Sequence, residues 1–317
     1  MLKIIRTCLL YLLSIFSSIG HAEPEINCPP ALVNPDPEIY KAAVLNAKNH
    51  GFLWKISKQG HTSYLYGTIH VGKFDWIFPG PAIQQAVSAS DTMALEMDML
   101  DEDIQTRMKK GMETMHANII PEDLINQLKQ QATFECISYE TLSKMTPEFQ
   151  VVTLELLNSR RDQLEASFAI DLVLSGWGHG TKKTMVSLET PEMQLDLMQM
   201  KTAQETTAFV ADSLAELNSG LSRKVLNHIA DIWVKSDYED LSRYIEWCEC
   251  MKTESERNFM KRILDDRNPN LADHINTLHE SGKQVFAAVG SLHMLGSLGL
   301  PALMEKRGYK VERVDFQ

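Results

Sequence analysis

Two short stretches carry residues whose types and spacing suit catalysis. Gly67-Thr68-Ile69-His70 follows the run Tyr64-Leu65-Tyr66, and Gly290-Ser291-Leu292-His293 follows Gln284-Val285-Phe286-Ala287-Ala288-Val289. In each, a β-favouring run ends at a glycine and an imidazole comes three residues later. A glycine there lets the backbone turn sharply as it leaves the strand, so the ring can swing over the sheet edge. Two acids stand in a similar relation to apolar runs: Glu96 ends Thr92-Met93-Ala94-Leu95, and Glu189 follows Met185-Val186-Ser187-Leu188. Imidazoles plus a carboxylate suit a divalent metal ion with open positions for water and substrate, which would activate that water and polarise a carbonyl. His70, His293 and Glu96 are therefore the candidate ligands and catalytic groups, and Glu96 is equally suited to act as a general base. One G-x-x-H has little specificity, since a histidine after a strand also suits a structural hydrogen bond. The repetition is what singles these two out.

Arg267-Asn268 is the other polar pair of interest. Arg267 could hold a substrate carboxylate or steady a developing oxyanion. A helix cap beside a surface cation accounts for the pair equally well. Competing signatures are absent: His279-Glu280-Ser281-Gly282-Lys283 lacks the second histidine of H-E-x-x-H, and no G-x-S-x-G or Gly-Lys-Ser/Thr phosphate loop occurs. The glycines of Gly176-Trp177-Gly178-His179-Gly180 read as a helix end. The remaining histidines read as surface or capping residues, with His274 and His279 on the solvated face of a charged helix.

The elements that position these residues read as mixed α/β. Phe52–Ile56 and Ser63–Tyr66 flank Lys58-Gln59-Gly60 as a hairpin, and His70 lies just past its second strand. Pro81 opens a helix, and Asp91–Met97 is a strand with Glu96 at its end. Residues 100 to 157 read as helical, punctuated by Pro121 and Pro147. Thr184–Leu188 is a strand, and Pro191 starts a helical region reaching Leu217. Further helices are expected over Lys252–Asp265 and Asn270–His279. The end of the chain reads as strand Gln284–Val289, helix Gly299–Lys306 and strand Tyr309–Val314, a unit that implies a parallel pair with a right-handed crossover.

Of the 317 residues, 44% are hydrophobic and 23% charged, an ordinary globular balance. The net charge of −11 and the absence of a basic run argue against nucleic-acid partners. Lys3 and Arg6, the apolar Cys8–Phe16 and the small-x-small Gly20-His21-Ala22 predict a signal peptide over 1–22, cleaved after Ala22. That apolar run falls short of the about 20 residues a membrane span needs. The mature chain is therefore expected in the periplasm or secreted, with no stable membrane span. Residues 23–51 read as an N-terminal arm and 52–317 as one domain. Cys28, Cys136, Cys248 and Cys250 remain after cleavage, enough for two disulfides. A direct Cys248–Cys250 bond would close a strained small ring, so a long-range partner such as Cys136 or Cys28 is expected.

In order along the chain, Leu65-Tyr66-Gly67-Thr68-Ile69-His70, Ala94-Leu95-Glu96-Met97-Asp98 and Ala288-Val289-Gly290-Ser291-Leu292-His293 resemble the signature blocks of the TraB/GumN family, which includes the Tiki metalloproteases. Ile170-Asp171, Ser187-Leu188-Glu189-Thr190-Pro191-Glu192-Met193-Gln194, Arg267-Asn268 and the closing helix and strand resemble its intermediate and last blocks, so the likeness runs from Phe52 to Val314. The resemblance implies a fold related to the erythromycin-esterase/ChaN group, with two related α/β halves, central sheets and many flanking helices. It implies a metal-dependent peptidase using His70, His293 and Glu96, with manganese or cobalt favoured and zinc the further option. Arg267, Asn268 and Glu189 carry over as substrate-binding residues, and a peptide or protein is the implied substrate. Two other classes remain open: a binding protein that sequesters a peptide or haem without turnover, and a metal-independent esterase-type hydrolase.

Overall fold

Four apolar runs that end in candidate site residues become parallel neighbours in one sheet. The computed structural model describes residues 28–31 and 35–316. The expected signal peptide, its cleavage site and part of the arm lie outside the described residues. The chain divides into two compact units, one holding Asp101–Ser167 and Pro191–His228 with the described residues before 32, the other Pro35–Leu100, Phe168–Thr190 and the chain from Ile229 onward. Among the described residues no helix is long and apolar enough to cross a membrane.

The second unit is built on a six-stranded mixed sheet: β1 (Phe52–Lys58), β2 (His61–Thr68), β3 (Thr92–Leu95), β4 (Thr184–Ser187), β5 (Val285–Gly290) and β6 (Lys310–Val314). Their spatial order is β4-β3-β5-β2-β1-β6. β1 and β2 form the expected antiparallel hairpin, while β2, β5, β3 and β4 run parallel to one another. β3 and β5 are buried at every position, as central strands covered on both faces must be. The mixed α/β class is thus the one read from the sequence.

The two histidine-bearing strands do not belong to separate sheets. β2 pairs directly with β5, with Thr68 opposite Gly290 and Gly67 opposite Val289. The expected pairing of the last two strands is also not made, because β6 lies antiparallel on β1, two strands away from β5. The side chains explain the choice. Leu65, Tyr66 and Gly67 of β2 suit a place beside β5 in the interior, whereas Lys310, Glu312 and Arg313 put charges on β6 and suit an edge.

The first unit is helical. Glu122–Phe134, Pro147–Ser159 and Ala203–Ser219 pack through Leu124, Leu128, Val151, Leu154, Val210 and Leu214. The helical region expected from Pro191 to Leu217 is interrupted: Pro191–Met198 ends, and Thr202 and Glu205 form a capping box that starts a new helix at Ala203. Cys28 is joined to Cys136 in this unit. In the second unit Cys248 is joined to Cys250, contrary to the expected long-range partner. Glu249 between them takes a left-handed φ of 60°, which folds the chain back and brings the two Cα atoms to 5.1 Å, within reach of a bond.

The start of the Gly67-Thr68-Ile69-His70 step is held from outside the sheet. The buried Trp233 indole donates a 2.9 Å hydrogen bond from Nε1 to the Gly67 carbonyl. Trp233→Phe keeps most of the packing and removes the donor. It is expected to lower unfolding stability by about 1–3 kcal/mol in urea denaturation. A change within about 0.3 kcal/mol would mean that the bond contributes nothing net.

Candidate functional site

The parallel register sets four candidate residues along one edge. His70 lies just past β2, Glu96 past β3, Glu189 past β4 and His293 past β5, so all stand at the carboxyl ends of parallel strands. Open α/β sheets place their ligands in that position. The ladder continues beyond the strands, with the Leu188 amide donating to the Leu95 carbonyl at 2.8 Å and the Glu189 amide to the Glu96 carbonyl at 2.9 Å. Glu96 and Glu189 therefore leave the sheet side by side.

His70, Glu96 and His293 meet around Gly290. A β-carbon placed on Gly290 would lie 3.4 Å from both Glu96 Oε1 and His70 Nε2, and 3.7 Å from His293 Cδ2. Only a residue without a side chain leaves that corner open. The Gly290 amide also donates to Glu96 Oε1 at 2.7 Å, which fixes one carboxylate oxygen there.

Each imidazole is oriented from behind. His70 Nδ1 faces Asp171 Oδ2 at 2.5 Å, and the other Asp171 oxygen accepts from Thr68 Oγ1. His293 Nδ1 faces Asn268 Oδ1 at 2.6 Å. Both contacts assign a proton to Nδ1, the way outer partners fix a metal-binding histidine, and they leave His70 Nε2 at the corner and His293 Nε2 toward Arg267. Asp171 entered the sequence reading only within a matching block. Its tie to His70, across 101 positions, has no local signal.

Arg267 joins the acids to His293. Its Nε and Nη2 bind Glu189 at 2.9 and 2.5 Å, Nη2 also binds Glu96 Oε2, and Nη1 lies 3.1 Å from His293 Nε2. Nη1 further donates to the Ile263 carbonyl at 2.9 Å. That carbonyl belongs to a π-helical turn, Lys261–Asp265, where the sequence predicted a continuous helix from Lys252. Such turns recur at functional sites because they re-aim backbone groups. The following helix spans Asn268–Glu280, starting two residues earlier than expected, with Pro269 in its first turn.

Glu189 and Asn268, carried over as substrate-binding residues, are buried, at 3% and 1% exposure. They bear on the corner through Arg267 and His293. His279 is also buried, bonded to Ser63 Oγ and the Lys58 carbonyl, and His274 Nδ1 faces the Leu188 carbonyl at 2.6 Å. Both were expected on a solvated face, which holds for the exposed His274 but not for His279. The helix turns His279 toward the sheet, where its imidazole satisfies a hydroxyl and a backbone carbonyl. The glycine-rich stretch is the last part of helix Ile170–Gly180, where His179 Nε2 meets the buried Asp98 at 2.8 Å. Asp98 also accepts from Ser175 and, through its amide, bonds Ser187 Oγ at 3.0 Å, which ties the segment after Glu96 to β4 and to that helix.

The charges divide by environment. The Asp171 carboxylate raises the pKa of His70 to about 9 against the opposing effect of burial, and the His70 side chain is 65% exposed, so pairing dominates. Burial lowers His293 to about 4, although Glu96 pulls the other way. Burial alone would raise Glu96, but His293, His70 and Arg267 outweigh it and bring the carboxyl to about 2. Arg267 is held above its usual range by Glu189 and Glu96 despite its burial. The corner thus carries a carboxylate, a neutral imidazole, a protonated imidazole and a guanidinium near neutral pH.

The residue types suit a divalent ion, two imidazoles and a carboxylate, with His70 having to release its Nε2 proton before it could ligate. Among the described residues no three His, Cys, Asp or Glu side chains already stand grouped for ligation, and Arg267 holds Glu96 Oε2 and faces His293 Nε2.

The family model described as the TraB/PrgY/gumN family matches residues 52–313. No curated protein and no solved structure gives a significant match.

In metal-stripped protein the His70 imidazole is expected to titrate near 9, well above an ordinary imidazole. Asp171→Asn removes the paired charge and should bring that titration down to the ordinary imidazole range or below. Side-chain NMR through a pH series reads both, and an Asp171→Asn curve superimposable on the parent would rule out the pairing as the cause.

Proposed function

The chain belongs to the TraB/PrgY/gumN family, and on that premise we propose that it is an exported, metal-dependent hydrolase acting on peptide bonds. The observation that carries the reading is the corner at Gly290, where His70 Nε2, Glu96 Oε1 and the His293 ring stand around one unfilled position. His70, His293 and Glu96 would hold the ion. Such an ion supplies a water of lowered pKa and polarises a carbonyl.

The chain's own residues account for the rest. Asp171 keeps His70 Nε2 facing the corner, and Asn268 fixes the His293 ring beside it. Glu96 is a carboxylate at any pH near neutral, its Oε1 fixed by the Gly290 amide and its Oε2 by Arg267, which suits it to hold an ion more than to take a proton. Arg267 stays cationic with its donors taken by Glu189, Glu96, His293 and the Ile263 carbonyl, so in this reading it positions Glu96 and His293. His70 is largely exposed, which favours a substrate arriving from solvent, such as a peptide end or loop, over a small enclosed ligand. The bonds that Arg267 makes to Glu96 and His293 favour one second reading: a metal-free hydrolase in which His70, backed by Asp171, moves the proton.

Metal-stripped protein reloaded with manganese, cobalt or zinc and offered a peptide library separates these. Under the leading reading, cleavage appears only with metal, and His70→Ala and His293→Ala each lose bound metal and at least about a hundredfold in kcat/KM. Cleavage that persists in chelator supports the metal-free reading. Tight peptide binding without cleavage under every metal would overturn both and leave a binding protein. Gly290→Ala provides a finer probe: its methyl group would enter the corner at ordinary contact distances, so a fall of about ten- to a hundredfold in kcat/KM is expected at near-constant thermal stability. Unchanged turnover would place the chemistry elsewhere.

A further inference from the structure

The Cys248–Cys250 bond has features of a working thiol pair rather than a staple. It encloses a single residue, so it restricts the unfolded chain far less than the Cys28–Cys136 bond, whose ends are 108 positions apart. Forming it also holds Glu249, a residue with a β-carbon, at a φ of 60°, a backbone state that favours glycine. The bond therefore gives the fold little and carries a backbone cost. The turn lies between two elements that are held independently. Tyr244–Trp247 precedes it, with the buried Tyr244 packed on Trp247, and Thr253 opens helix Glu254–Met260 through a capping box.

The two sulfurs are unequal. Cys248 is 3% exposed, whereas Cys250 is only half-buried. The Cys250 amide donates to Cys248 Sγ at 3.2 Å. An incoming thiolate would therefore reach Cys250 Sγ, and the sulfur set free would be Cys248, where an N–H is already in place to receive its negative charge.

We propose that Cys248–Cys250 is a reversible redox site that exchanges with a dithiol reductant, with Cys250 as the sulfur attacked and Cys248 as the leaving thiolate. One thiolate of the dithiol attacks Cys250 Sγ. A mixed disulfide forms, the Cys248–Cys250 bond breaks, and the electron pair passes to Cys248 Sγ. The second thiol of the reductant attacks the mixed disulfide and releases Cys250. The dithiol is oxidised to its disulfide, the protein disulfide is reduced by two electrons, and the two thiol protons pass to Cys248 and Cys250. The site is independent of the hydrolytic reading above.

The test equilibrates the native, full-length protein with buffers of reduced and oxidised dithiothreitol, followed by acid quench, alkylation and peptide mapping of each cysteine. The expected result is reversible reduction of Cys248–Cys250 with the near-ultraviolet circular dichroism of the folded protein retained. Failure to reduce in excess dithiol without denaturant, or unfolding on reduction, overturns the proposal. A brief pulse of a monothiol, glutathione, should leave its adduct on Cys250, and an adduct on Cys248 would overturn the assigned direction. Glu249→Gly relieves the left-handed cost that Glu249→Ala retains. It should therefore raise the dithiol-to-disulfide ratio at half-reduction roughly fivefold over Glu249→Ala. Equal ratios in those two variants would overturn the role given to the turn.

Discussion

The Arg267 guanidinium is the charge around which the sheet edge is arranged. It is 11% exposed and cannot give up its proton, so the fold must surround it with acceptors. Glu189 meets it with both oxygens and is itself fully buried, while Glu96 and His293 take its other side. Removing one partner of such a buried set typically costs about 3–5 kcal/mol, because the remaining charge is stranded away from water. The same contacts that neutralise the arginine also fix Glu96 and place a donor beside His293. Stability and chemistry here draw on one set of hydrogen bonds.

That arrangement depends on strand register. β2, β5, β3 and β4 end at one edge because they run parallel and in step, with Thr68 opposite Gly290 and Leu95 opposite both Ala288 and Ser187. A shift of one residue in any pair would turn its site residue to the other face of the sheet. Full burial of β3 and β5 on both faces makes such a shift costly. Helices then supply what strands cannot. Asp171 arrives from helix Ile170–Gly180, and Arg267 and Asn268 from the turn and helix after the π-helical segment.

Much of this was readable from local pattern. The hairpin, the two G-x-x-H steps, Glu96 at a strand end and Pro-opened helices all rest on residue types within a few positions of one another. What pattern misplaced involved long-range choice. β6 joins β1 rather than β5, because the competition among strands for interior places is settled by how charged each is. His279 is buried because the Ser63 hydroxyl and the Lys58 carbonyl need a partner, and both are more than two hundred positions away. The Cys248–Cys250 bond turned on the backbone state of Glu249, a residue type that gives no warning of a left-handed φ.

The sequence by itself determined which groups would stand at strand ends and that two glycines would precede two imidazoles, since strand period and backbone freedom are local properties. Only the tertiary structure decided that those strands are adjacent, that Gly290 is the common corner, and that Asp171 and Asn268 fix the two rings. Those contacts join residues from 25 to more than a hundred positions apart. They form because buried polar groups must find partners wherever the packed chain brings them.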